Sequence, residues 1–311
     1  MRLSILVVSR TATLLSRLLS RLDEATNLVS ADVEVLCSWN GSKHEEEAIE
    51  NLSRYPLRIA NRDAYHFATN NNSLAEQATG DLLLIINDDV ALDPGSIDAA
   101  INCLISTPKA GLVGARLRSS DGMISHDGVG FTNDHSAYNL FENLIPAENN
   151  ELRDHPVLCS AVIGAVMLVR RSDFLAIRFD EGCLVHGEDT QFCFELRLQL
   201  GLDVLVCPKC SGIHNASSTR NHFHNQESSQ ADIDKLIERR RKFLEQASST
   251  ELRKELFNST REAYVLRGSL PNSNDDLINC RDQMHTLQLH RLRLEQEVFS
   301  LRQKLSKLKK R

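Results

Sequence analysis

The chain reads as an α/β protein built on a doubly wound, mostly parallel sheet with flanking helices, followed by a C-terminal helical and coiled-coil extension. Three observations predict this. Through the first 120 residues, short apolar runs alternate with amphipathic stretches. The runs are apolar almost without interruption, as strands covered on both faces are. Several end in polar residues, and in a doubly wound sheet the carboxyl ends of the strands are where ligands bind.

Leu3 to Val8 is the first buried strand, and the leucine-rich stretch around Leu14 to Leu22 is the helix after it. Val33 to Cys37 is a second strand, closed by the turn signal Asn40-Gly41-Ser42, and Pro56 to Ala60 is a third. A helix around Asn72 to Ala78 stops at Gly80, and Leu82 to Ile86 is the central strand, running straight into Asn87-Asp88-Asp89. A helix near Ile97 to Ile105 and a strand over Leu112 to Leu117 follow. Asp121-Gly122 then sits between alternating residues as a hairpin turn does. Ala161 to Val169 is predicted to be a buried strand. Glu188 to Leu200 is a helix with Phe192, Leu196 and Leu200 on one stripe and Gly201 as its stop, and Val204 to Cys207 closes the sheet.

From about Asn215 the character changes. Residues 215–230 are polar and rich in His, Asn and Ser, and Ile233 to Phe257 is a charged helical stretch. The predicted organisation is a catalytic domain over residues 1–220, a helical extension over 221–268, a linker over 269–280 and a basic coiled coil over 281–311. Leu287, Leu294, Leu301 and Leu308 recur every seven residues, with Met284, Arg291, Val298 and Leu305 at the other seam position. A single amphipathic helix packed on the domain is the alternative.

The 311 residues carry a formal charge of -6, which argues against a general electrostatic grip on nucleic acid. The total conceals a split. Nine Lys or Arg against three Asp or Glu give residues 281–311 a charge of +6, leaving -12 for residues 1–280. The basic tail is expected to join copies of the chain, meet a partner helix, or make at most peripheral contact with a membrane. The longest uncharged apolar run, Val157 to Val169, has 13 residues, against roughly 20 for a spanning helix. Before Arg10 only Leu3 to Val8 is apolar, shorter than a secretory h-region, so no export signal is expected. The eight cysteines are scattered, several within apolar runs, as reduced core thiols are. These features predict a cytoplasmic protein, at most peripheral to the inner face of the membrane.

Asp88 and Asp89 at the lip of a central strand repel each other, an arrangement favoured by a cation, and oxygen ligands of this kind suit Mg²⁺ or Mn²⁺. A plain turn is the alternative. Glu188-Asp189, opening a helix after His186-Gly187, is either a pair of dipole partners or contains a general base. His214 alone is an ordinary histidine that only its company would promote. Cys207-Pro208-Lys209-Cys210 with His222 and His224 suggests a zinc site, but there is no second CxxC, and a core position accounts for Cys207. Gly128-Val129-Gly130 lacks the strand-to-helix context of a phosphate loop.

Taken in order, LSILVVSR, VEVLCSWNGS, NRDAYHFATNNNSLAEQATGDLLLIINDDV, VIGAVMLVRRSDF and RFDEGCLVHGEDTQFCFELRLQLGLDVLVCP, with His214 after them, resemble the inverting glycosyltransferases of family 2. These have the GT-A fold, and the similar branch contains rhamnosyltransferase-like enzymes of cell-surface polysaccharide synthesis. The resemblance covers roughly residues 3–220. It implies that Asp89 binds the divalent metal (Mn²⁺ or Mg²⁺) bridging the nucleotide diphosphate, that Asp88 contacts the ribose or the metal, and that His214 approaches the metal or diphosphate. It implies Asp189 as the catalytic base, and Ser9, Arg10 and Asn72 as donor-binding residues. Trp39 stands where an acid usually reads the nucleotide base, so base recognition would rest on stacking or on backbone groups there. Asn87, Gln191 and Glu195 also depart from the pattern.

The expected function is metal-dependent, inverting transfer of a hexosyl or deoxyhexosyl group from a UDP, dTDP or GDP sugar to a glycan hydroxyl. The alternative is a catalytically degenerate transferase fold working through its coiled coil, for which Trp39, Gln191 and Glu195 speak. Against it stands the joint retention of Asp88, Asp89, Asp189 and His214. A sugar nucleotidyltransferase would want a glycine-rich basic loop after the first strand, which VVSRTATLL does not supply.

Overall fold

The computed structural model describes residues 1–184, 186–214 and 230–269. Strand β1 (Leu3–Ser9), helix α1 (Ala12–Ala25), β2 (Val33–Trp39), α2 (Lys43–Glu47), β3 (Leu57–Asn61), α3 (Phe67–Gln77) and β4 (Leu82–Asn87) form the first half. Then come β5 (Val90–Leu92), α4 (Ser96–Ser106), β6 (Ala110–Arg118), β7 (Ile124–His126), β8 (Val129–Phe131), β9 (Ala137–Asn139) and β10 (Val157–Leu158). The chain continues through β11 (Val166–Arg170), α5 (Arg171–Ile177), α6 (Glu188–Leu200), β12 (Asp203–His214), α7 (Gln230–Gln246) and α8 (Ser249–Ser269).

The main sheet has the order β10-β12-β6-β11-β4-β1-β2-β3, with β5 beside β12 and β7 beside β6. Strands β1, β2, β3 and β4 are mutually parallel where they pair, as are β6 and β12. Between these two parallel blocks β11 runs antiparallel to both neighbours. The predicted doubly wound α/β sheet is therefore present, with one reversed strand at its centre.

The apolar runs are continuous because alternate residues feed two cores. Ile5, Val7, Leu84 and Ile86 point to a cluster with Leu15, Leu18 and Leu22 of α1 and Ile97 and Leu104 of α4. Their neighbours Leu6, Leu83 and Ile85 point the other way, to Leu74 of α3, Phe174 of α5 and Phe192 of α6. The stripe read on Glu188 to Leu200 is confirmed for Phe192 and Leu196, both buried, while Leu200 is exposed at the helix end. Gly201 closes α6 in the left-handed conformation at φ 63°.

Two predicted strands are corrected. The run Ala161 to Val169 becomes a strand only from Val166; before it, the Gly164 amide donates to Asp189 Oδ2 at 2.7 Å instead of to a neighbouring strand, and the glycine backbone lies against Phe67, where a Cβ would be 2.8 Å from the ring. The final strand does not stop at Cys207. It runs on to His214, and a register shift against β6 between Cys207 and Ser211 takes up Pro208.

One compact unit extends from Met1 to Leu266 and includes α7 and nearly all of α8. Glu255 of α8, buried, accepts from Arg197 Nη1 at 2.5 Å, Arg240 Nη2 at 2.5 Å and Ser160 Oγ at 2.8 Å. The Arg240 guanidinium also lies 4.2 Å from the centre of the Phe131 ring. Arg261 donates to the Asp127 carbonyl oxygen at 2.9 Å and pairs with the Asp127 carboxylate. A second unit comprises Arg267–Arg311. The predicted coiled coil over 281–311 lies outside the described residues, as do His222 and His224 and all but Ser269 of the predicted linker; Ser269 ends α8. Among the described residues no helix is long and apolar enough to cross a membrane.

Candidate active site

The carboxyl ends of β1 and β4 open onto a cavity of about 710 Å³. Burial of both strands fixes their backbones, so the first polar residues beyond the apolar runs are held at the rim. Ser9 ends β1, and its hydroxyl donates to Asp88 Oδ2 at 2.6 Å. Arg10 also lines the cavity, its guanidinium 5.6 Å from the centre of the Tyr65 ring.

Asp88 and Asp89 form the turn between β4 and β5, and only 7% and 8% of their surfaces are exposed. Burial pushes the Asp88 carboxyl up to about 6, with the Asp89 charge adding to the rise, against the Ser9 hydrogen bond and Arg10. The antiparallel pairing of β5 with β12 sets Val90 opposite His214. This register brings the imidazole Nε2 to 3.4 Å from Asp89 Oδ1. His214 therefore acquires its acidic company by belonging to the last strand.

Gly187, which also lines the cavity, caps α6 at φ 97°, a left-handed conformation that favours glycine. Asp189 follows in the first helical turn. Its Oδ2 accepts from the Gly164 amide at 2.7 Å and its Oδ1 from the Thr190 amide at 2.6 Å. Burial nevertheless raises its pKa, outweighing these bonds and the nearby His186. Asp189 combines a proton affinity above that of an ordinary aspartate with a place on the cavity wall, the two properties a general base needs.

Ser9, Arg10, Asp88, Asp89, Asp189 and His214 thus share one cavity. Of the expected binding residues, Trp39 and Asn72 are not among those that line it. Trp39 is 1% exposed and donates from its indole nitrogen to the Ser42 carbonyl at 3.2 Å, its ring packed against Gly41. Asn72 lies on the buried face of α3. Its amide donates to the Phe179 carbonyl and to Glu181 Oε1, both at 2.9 Å, and its oxygen accepts from the Phe179 amide at 3.0 Å. It ties α3 to the segment before α6. The sequence reading missed Tyr65, an aromatic in a polar loop, and Ile233, Leu236 and Ile237 of α7, all of which line the cavity.

The donor set at the rim is chemically suited to a divalent cation. Two carboxylates and one imidazole are oxygen and nitrogen ligands of the kind Mn²⁺ accepts. Among the described residues no cluster of three or more His, Cys, Asp or Glu side chains is arranged to hold a metal unaided. Asp89 and His214 would have to share the ion with ligands from the substrate.

No family model matches the sequence. The chain is 31% identical over 165 residues to the O-antigen biosynthesis protein RfbC of Myxococcus xanthus, a match covering 50% of this chain and 12% of that protein. It is 29% identical over 175 residues to the uncharacterized protein y4gI of Sinorhizobium fredii, covering 52% of this chain and 18% of that one. The match thus spans less than a fifth of either relative's length. Among solved structures it superimposes on the TarS fragment 1-349 of S. aureus in complex with UDP-GlcNAc, with a TM-score of 0.56, 13% identity, and 84% and 72% of the two chains covered. The mannosyltransferase PcManGT of Pyrobaculum calidifontis, in complex with GDP-Man and Mn²⁺, gives 0.54 at 12% identity, covering 92% and 80%. GalNAc-T7 with UDP, GalNAc and Mn²⁺ gives 0.54 at 13%, covering 69% and 44%. The fold is that of the GT-A glycosyltransferases, as the sequence resemblance implied.

Proposed function

We propose that this chain is a metal-dependent, inverting glycosyltransferase of family 2 that moves a sugar from a nucleotide-sugar donor to a hydroxyl of a cell-surface type glycan. The observation that carries the reading is that one cavity is lined both by a buried acidic rim with its histidine (Asp88, Asp89, His214) and by a carboxylate of raised proton affinity (Asp189). A single displacement at an anomeric carbon calls for such a pair of sites, one for the leaving diphosphate and one for the incoming hydroxyl.

Asp189 would accept the acceptor's hydroxyl proton as that oxygen attacks the anomeric carbon from the face opposite the diphosphate. The Gly164 and Thr190 amides hold the carboxylate in place, so little reorganisation accompanies the transfer. Ser9 fixes Asp88, and Arg10 adds positive charge where the diphosphate would lie. Asp89 and His214, with Asp88 directed to the ribose or the ion, would hold a divalent cation, whose chemistry is to neutralise charge on the diphosphate. The Mn²⁺ and the GDP-Man and UDP-GlcNAc named for the structural neighbours support this reading, as does the O-antigen biosynthesis role named for RfbC. Donors with UDP, GDP or dTDP all remain within it. Seven buried free thiols among the described residues suit a reducing, cytoplasmic compartment. The heptads of residues 281–311 would join copies of the chain, and deleting them should then reduce its oligomer size in solution.

Calorimetry with UDP, GDP and dTDP sugars, with and without Mn²⁺, tests the proposal. It expects Mn²⁺-dependent binding of at least one donor, abolished by Asp89→Ala. Absence of metal-dependent binding across the panel would leave the transferase fold as a platform for other proteins.

A further inference from the structure

Helix α7 lies beyond the stretch that carries the family resemblance, yet it forms one wall of the cavity through Ile233, Leu236 and Ile237. The same helix grips the segment that delivers the amino end of α6. Asp232, 4% exposed, accepts on Oδ2 from the Leu184 amide at 3.0 Å and from the His186 amide at 3.4 Å. One turn on, Lys235 donates to the Gly182 carbonyl at 2.7 Å. A further turn on, Arg239 pairs with Asp180 and donates to Cys183 Sγ at 2.9 Å. Leu236 packs beside Gly187, where an added Cβ would lie 3.6 Å away.

An acidic residue in a first helical turn is ordinarily a partner of its own helix dipole. Asp232 is different, because it reaches across to the backbone of another segment, two and five residues before Glu188 and Asp189 respectively at its nearest and farthest bonds. His186, one of the residues so held, lies close enough to Asp189 to act on its charge. Displacing a reacting group by about 1 Å costs on the order of 100-fold in rate, so a clamp at this distance from the base acts on the transfer step.

We propose that Asp232 is a positioning residue for transfer: by holding the amides of Leu184 and His186 it sets His186 and the first turn of α6 against the acceptor side of the cavity. Helix α7 thereby belongs to the catalytic unit. This inference rests on the reading of Asp189 as the base.

The test uses the full chain and whichever sugar of the UDP, GDP and dTDP panel it hydrolyses with Mn²⁺, following release of the nucleoside diphosphate. Asp232→Ala is expected to lower kcat by about 10- to 100-fold while the donor Kd from calorimetry stays within about twofold, and hydrogen exchange at Leu184 and His186 should accelerate. Asp232→Asn keeps an oxygen acceptor and should recover most of the rate. Should the alanine variant fail to fold, Asp232→Glu, which moves the carboxylate by one methylene, is expected to lower kcat with donor affinity retained. Unchanged kcat in Asp232→Ala, or asparagine and alanine variants equally impaired together with lost donor binding, would overturn the proposal. Asp189→Asn is the control. If it retains turnover, or the wild-type chain neither binds nor turns over any sugar of the UDP, GDP and dTDP panel with Mn²⁺, the functional reading fails, and hydrogen exchange still reports whether Asp232 holds the segment. If Asp189→Asn is inactive and Asp232→Ala is normal, only the present inference fails.

Discussion

Replacing Glu255 by alanine should destabilise the protein more than any single change on its surface. Its carboxylate is 7% exposed and lies between Arg197, 3% exposed, and Arg240, 6% exposed. Alanine removes the bonds from Arg197, Arg240 and Ser160 together. Arg197 keeps Glu251 and the Ser160 carbonyl, but Arg240 is left with aromatic faces alone as its recorded partners. Breaking a buried ion pair from one side costs about 3–5 kcal/mol, because the remaining charge stays desolvated. For a unit of this size 1 kcal/mol moves the melting temperature by about 2–4 °C, so Tm should fall by roughly 10 °C. Thermal and urea unfolding at pH 7 read this directly. Burial alone would raise the Glu255 pKa, but Arg197 and Arg240 offset that and hold it below its ordinary 4.5. A depressed carboxylate stabilises the fold above its unfolded pKa and ceases to as pH falls through the folded value. The difference between wild type and Glu255→Ala should therefore be constant above about pH 5 and shrink below about 4.5. A loss under about 1 kcal/mol at pH 7, or one that grows on acidification, would refute the reasoning.

Three further outcomes are expected. Gly164→Ala places a Cβ 2.8 Å from the Phe67 ring and 3.7 Å from Asp189 Cβ, so the peptide that donates to the base must move. Turnover should fall by about 10-fold or more with donor affinity retained, as steady-state kinetics and calorimetry would establish. His214→Ala should weaken Mn²⁺-dependent donor binding by about 10-fold and leave Tm nearly unchanged, measured by titration and by melting. Trp39→Phe should leave donor affinity within about twofold, because Trp39 does not line the cavity and what it loses, its bond to Ser42 and part of its packing against Gly41, lies away from it; a large loss would show that the nucleotide reaches it.

Much of the architecture was legible because burial on both faces imposes apolar runs of strand length. Leu82 to Ile86 was readable for that reason, and Glu188 to Leu200 from its one apolar stripe and glycine stop, and with them the positions of Asp88, Asp89 and Asp189 at the ends of those elements. His214 was harder to place. Pro208 interrupts the pattern of a strand, and only pairing with β6 and β5 shows that the strand survives it through a register shift. The partners of Asn72 were not legible either. The family resemblance implied a donor-binding role for it, whereas its hydrogen-bond partners Phe179 and Glu181 stand 107 and 109 residues away, a separation that local pattern does not encode. The wall formed by α7 was invisible for the same reason: its charged surface reads as a solvated helix, whereas Asp232, Lys235 and Arg239 are engaged with the segment before α6.

The account turns on Asp189 as the group that takes the proton. The most direct measurement compares nucleoside diphosphate release by the wild-type chain and Asp189→Asn with Mn²⁺ and the donor the protein binds, with donor affinity measured alongside. The prediction is that asparagine, which cannot accept the proton, lowers turnover by about 100-fold or more while the donor Kd stays within about twofold. Turnover near the wild-type rate with donor binding intact would contradict it.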